Sequence, residues 1–198
     1  GQFNEARQEA SDILNNGVST AEQKADAQQV INDVDCTQKL VNDSAEQLWQ
    51  IEANNEYHVD VHDVLRVLDE ANVFAPHSTI IKTFRAEGLR FIGEIEAAAQ
   101  LVKDVAVQDV RGLCVRARVA FDLANVSDCL DSLKPLIPAL DLCAGRDASD
   151  SVTFPDVLTP DEVLKQIPNP ASLLQILDQV RQINELKELV VSAKNIHG

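Results

Sequence analysis

Three sets of residues in this chain have types and spacings that could do chemistry. They are the pair His58 and His62 within EYHVDVHDVL, the thiols Cys36, Cys114, Cys129 and Cys143, and the basic cluster Arg111, Arg116 and Arg118. Two histidines at i and i+4 on one helical face can supply two zinc ligands, with Glu56, Asp60 or Asp63 as a third. The same pair beside acids could also act as an acid-sensitive switch. The shared face that a metal site needs requires the helix to begin before His58. Asp60 ahead of VHDVLRVL, with Asp63 three residues on, reads instead as an N-cap, which leaves His58 outside the helix. The glutamate of an HExxH motif is also missing. We expect no metal and no cofactor, with His58 and His62 the candidate ligands if one binds.

The cysteines show neither a CxxC nor a zinc-ligand spacing, and their even number suggests two disulfides formed in an oxidising compartment. Cys114 and Cys129 fall on one expected helix, where fifteen residues separate them by about 22 Å, well past the ~7 Å Cα limit of a bridge. Pro135 and Pro138 then argue for a turn that returns Cys143 toward Cys129. The expected bridges are Cys129 with Cys143 and Cys36 with Cys114. The chain contains no methionine, so Gly1 reads as the start of a processed or recombinant mature fragment. Two sequons, at Asn42 and Asn125, mark possible glycosylation. These features together point to a secreted, extracellular protein.

Arg111 and Arg118, seven residues apart, share a helical face and form a candidate contact patch for an acidic partner. No GxSxG, GxGxxG or phosphate-cradling loop is present, and nothing in the spacing of Ser, His and Asp proposes a triad. The expected class is therefore not an enzyme.

The elements that must position these residues follow from composition and period. The chain has 198 residues with 45% hydrophobic and only 4% aromatic content, mostly Ala, Val, Leu and Ile, which suits helix interfaces better than aromatic-lined clefts. The formal charge is -15, and residues 1–77 alone carry 4 basic and 15 acidic groups. That surface disfavours nucleic acid and acidic membranes and favours a cationic partner. No run of apolar residues reaches the length of a membrane span, so no membrane insertion is expected.

A first helix over about 3–15 places Phe3, Ala6, Ala10, Ile13 and Leu14 on one face. It stops at Asn16-Gly17, and Ser19 with Glu22 reads as a capping box for a helix reaching Asn54. From Ser78 to position 131 a seven-residue apolar spacing predicts one very long helix, or two with a break near Asp104 to Asp109. Gly88, Gly93 and Gly112 within it mark close packing or bends, or alternatively a hinge. Residues 145–158 read as a surface loop, and Thr159-Pro160-Asp161-Glu162 and Asn169-Pro170 each start a helix. The last helix puts Leu173, Leu177, Val180, Ile183, Leu186, Val190 and Ala193 inward. The simplest fold is one all-α domain over 1–198. It is an elongated antiparallel bundle stapled by two disulfides, with a helical hairpin over 159–195.

For function this leaves a secreted, non-enzymatic protein that binds another macromolecule, whose identity is open, through a rigid acidic surface. The alternative is a carrier that holds a lipid-like small molecule in a cavity between helices.

Overall fold

The structure, a computed structural model, describes residues 2–54, 58–106, 109–146 and 158–196. Within them the regular structure is helical: α1 (Gln2–Asn15), α2 (Ala21–Asn54), α3 (Val61–Phe74), α4 (Thr79–Phe91), α5 (Ile95–Val102), α6 (Val110–Asp122), α7 (Val126–Leu133), a 3-10 turn at Lys134–Leu136, α8 (Ile137–Cys143), α9 (Pro160–Leu164) and α10 (Pro170–Ile196). No strand occurs among the described residues, and none of their helices is long and apolar enough to cross a membrane. The expected loop over 145–158 lies mostly outside them.

Helix starts follow local hydrogen-bonding chemistry closely. Asp60 caps α3, its carboxylate accepting from the His62 and Asp63 amides at 3.0 and 3.4 Å. Thr159 and Glu162 exchange bonds in a capping box ahead of Pro160. The start of α2 is one residue later than expected: the reciprocal bonds join Thr20 and Gln23, at 2.9 and 3.2 Å, rather than Ser19 and Glu22. Gln at the third position closes such a box as well as Glu does.

The stretch 78–131 is neither one helix nor two, because three stops divide it. At the first, Gly93 takes φ +85 and the Glu94 amide returns to Leu89 O at 2.9 Å, a left-handed C-terminal closure. The second lies between α5 and α6, where the Asp109 carboxylate accepts from Gly112 N at 2.8 Å. At the third, Ala124 takes φ 55, Asn125 N bonds Ala120 O at 2.8 Å, and the Asn125 side chain caps α7. The apolar period continued across these stops because each short helix turns its apolar side to the same interior.

Ala124 is exposed and bears a Cβ in a region that favours glycine. Ala124→Gly is expected to stabilise the fold by about 1 kcal/mol in urea unfolding; a loss of stability would show that Ala124 is not held left-handed. Gly112 has a different role, close approach: a Cβ there would lie 2.5 Å from Asp109 Oδ2 and 2.6 Å from Val105 Cγ1.

Among the described residues four apolar clusters form the interior. Val41, Ala71, Ala75 and Ile81 join α2, α3 and α4, and next to them Leu48, Val64 and Leu68 join α2 and α3. Ala86, Ala98, Val102, Val115 and Val119 lock α4 to α5 and α6. The largest cluster draws on α6, α7, α8, α9 and α10, with Leu133, Leu136, Leu140, Leu173 and Leu177 fully buried. Of the inward series expected for the last helix, Leu173, Leu177 and Val180 are buried and Ile183, Leu186 and Val190 are exposed, while the side chain of Ala193 lies outside those described.

The disulfide staple is absent. All four cysteines are free, Cys36 and Cys143 exposed, Cys114 and Cys129 buried. The expected pairing rested on an unbroken helix carrying Cys114 and Cys129. The turn at Ala124 instead folds α7 back on α6 and brings both thiols into the largest core cluster. Cys36 stands exposed on α2, and Cys143 is exposed at the end of α8.

Candidate functional site

The charged residues of the interior are organised around Glu52, in the last turn of α2. One carboxylate oxygen accepts from Arg90 Nη1 at 3.2 Å, and the other lies 3.0 Å from Arg118 Nε. Arg90 also donates to Asp122 at 2.8 Å. Arg118, 1% exposed, donates from Nη2 to the Pro168 carbonyl at 2.7 Å. The Asn169 amide reaches the Glu52 carbonyl at 3.2 Å while its side-chain oxygen accepts from Ser172 N, capping α10 from a left-handed backbone at φ 51. The Glu52 carboxylate thus connects α2, α4 and α6, and its main-chain carbonyl holds the approach to α10.

Glu87 and Arg111 form a second buried pair, bidentate at 2.8 to 3.0 Å. The Arg111 guanidinium sits 4.9 Å from the centre of the Trp49 ring and 5.7 Å from that of Phe84, an arrangement that favours a planar cation. Burial pushes the Glu87 carboxyl above its usual range against the lowering pull of Arg111. Burial also lowers the Arg118 pKa, opposed by Glu52. In the interior Glu52 is paired with Arg118 and Glu87 with Arg111, while the exposed Asp122 shares the partly buried Arg90 with Glu52.

This overturns the reading of Arg111 and Arg118 as a contact patch. They do share a face, as their spacing required, but that face is turned inward onto Glu87 and Glu52, and Arg116 pairs with Asp128. Glu52, Glu87, Arg90 and Asp122 were not singled out in the sequence. Glu52 did carry a signal: it falls four residues after Leu48, on the apolar stripe of α2, where a lone charge requires a buried partner.

His58 is exposed and precedes the Asp60 cap, and His62 is exposed within α3. The two imidazoles therefore do not share a helical face. Glu56 lies outside the described residues, and among those described no group of three or more His, Cys, Asp or Glu could hold a metal ion. Both sequon asparagines are exposed: Asn42 lies within α2, with its Ser44 buried, and Asn125 caps α7.

One surface feature with the shape of a binding site lies on the N-terminal hairpin. Ala6, Glu9, Ala10 and Ile13 of α1 face Gln23, Asp26, Ala27 and Val30 of α2 across an open groove of about 310 Å³. Each wall uses positions i, i+3, i+4 and i+7, one helical face apiece. Alanines form the floor, Ile13 and Val30 remain partly exposed, and Glu9 and Asp26 add negative charge to the walls. Arg7 of α1 pairs with Asp35 of α2 and helps hold the hairpin together.

Fold and site together define an all-α scaffold whose interior charges are paired and whose acidic hairpin carries an apolar groove. Comparison of the chain with protein-family models, with curated proteins and with solved structures finds no match.

Proposed function

We propose that this chain is a non-enzymatic binding protein, working outside the cell, whose rigid acidic surface receives a cationic amphipathic helix of another macromolecule. The groove between α1 and α2 is the observation that carries this reading. Two walls of helical period, a small-residue floor and flanking acids suit an apolar helical stripe flanked by lysines. The acid excess of residues 1–77 favours encounter with a cation. The interior arginines and acids serve each other, which supports a structural rather than catalytic role for them. The exposed asparagines of the two sequons are in keeping with an extracellular setting.

A designed Lys-rich amphipathic helical peptide, titrated calorimetrically, tests the proposal. Glu9→Gln with Asp26→Asn is expected to weaken binding by about tenfold, the effect of two partly screened surface charges. A scrambled peptide of equal charge is expected to bind far less. Equal binding of both peptides, or no binding at about 1 mM, a Kd worth only ~4 kcal/mol, would overturn it.

One observation favours the carrier reading as a second possibility. An apolar recess of about 390 Å³, bordered by Phe3, Val30, Val34, Phe74 and Pro76, opens where the hairpin meets the end of α3. That volume is at the small end of ligand pockets. Native mass spectrometry of the protein from its own source would reveal a bound lipid as added mass.

A further inference from the structure

The second half of α10 carries one edge of its buried apolar face on into solvent. At about 100° per residue, Leu173, Ile176, Leu177 and Val180 occupy one sector of the helix, while Ile183, Leu186 and Val190 centre about 100° round from its middle, with Ile183 about 20° from Ile176. The first four are buried, the latter three are 39%, 62% and 54% exposed, and Leu189 and Val191 widen the exposed apolar surface on either side of them at 66% and 58%. Lys187 is exposed on one flank of this stripe, and the acids Glu185 and Glu188 fall on the far side of the helix. Over residues 181–196 the acid excess of the chain reverses, with Arg181, Lys187 and Lys194 against Glu185 and Glu188.

We propose that this end of α10 seats in the α1–α2 groove of a second copy of the chain. The inference rests on the reading of the groove given above and names its occupant. Stripe and groove match in length: Ile183 to Val190 and Ala6 to Ile13 each span seven residues, about 10 Å of helix. They also match in character, an aliphatic ridge entering an alanine floor with Lys187 toward Glu9 and Asp26. Within one chain Ile13 and Val30 of the groove and the α10 stripe stand exposed, while the floor alanines Ala10 and Ala27 are already buried between α1 and α2. Stripe against stripe in two copies would lack this complement, because Lys187 of each would meet no acid. The contact is heterologous, so it closes into a ring by exchange or extends head to tail.

Sedimentation velocity on the full chain, from about 1 to about 300 µM, tests the contact, whose small size places its midpoint on the order of 10 µM. Two variants alter exposed side chains only: Leu186→Glu with Val190→Glu removes the stripe, and Glu9→Lys with Asp26→Lys reverses the groove. Helicity by circular dichroism checks that each remains folded. Each variant alone is expected to be monomeric. Their mixture is expected to form a 1:1 complex, since one keeps a groove and the other a stripe, and the complex should weaken as salt rises. A wild-type chain that stays monomeric throughout overturns the inference, as does a single variant that associates like wild type. If the wild type is monomeric while the Lys-rich peptide still binds the groove, the inference falls and the proposed function stands. If association persists in the groove variant and the peptide fails to bind, both fall.

Discussion

Glu52→Gln is expected to destabilise the fold by about 3–5 kcal/mol, measured by guanidinium unfolding near neutral pH. Gln preserves shape and removes the charge, so Arg118, 1% exposed, keeps its full positive charge with only the Pro168 carbonyl as hydrogen-bond acceptor. Nη1 of Arg118 has no hydrogen-bond partner among the described residues, so there is little to compensate the loss. Arg118→Met is expected to cost less, about 1–3 kcal/mol, because Glu52 retains Arg90 and an apolar chain fills the volume. The double variant should cost clearly less than the two single changes combined, the mark of directly coupled groups. A cost for Glu52→Gln below about 1 kcal/mol, the range of an exposed pair, would show that the carboxylate is not the hub.

The second large effect is alkaline destabilisation. Burial pushes Cys114 and Cys129 up to about 12 from an ordinary value of 9.0. In the unfolded chain each thiol ionises near 9, whereas in the folded chain it stays protonated, so the folded state binds more protons. Stability from these groups is fully present below pH 9 and is lost as pH rises from 9 toward 12. Each thiol contributes a slope of about 1.4 kcal/mol per pH unit within that window. Between pH 8 and pH 10.5 the two together should cost about 4 kcal/mol, a large part of a typical domain's 5–15 kcal/mol. Urea unfolding in reductant measures this, and Cys114→Ala with Cys129→Ala should flatten the slope. At pH 8 a thiol reagent should modify Cys36 and Cys143 quickly and the buried pair only on unfolding. No accessible thiol in the unreduced protein would restore the disulfide account.

Local signals in the sequence were reliable where the physics is local. The caps at Asp60 and Thr159 and the start at Asn169 depend on hydrogen bonds within three residues, and each lies where residue type places it. The all-α class likewise follows from apolar period. The stop at Ala124 was hidden because it uses an alanine where a glycine would have shown it. That one turn decides the cysteine geometry, so an error of topology became an error about disulfides. The ion pairs were hidden for another reason: Glu52 meets Arg118 across 66 residues, and no local spacing encodes such a meeting. The groove was half visible, since the face of α1 was legible while its pairing with α2 required the turn at Asn16-Gly17.

The most direct test of the central claim places a photo-cross-linking residue at Gln23 on the groove wall and, as a control, at Glu96 on the exposed side of α5. Illuminated with the Lys-rich amphipathic peptide, the Gln23 variant is expected to give a peptide adduct that fades as salt rises, and the Glu96 variant to give little. Equal adducts at both positions, or adduct at Glu96 alone, would contradict the assignment of the α1–α2 groove as the binding surface.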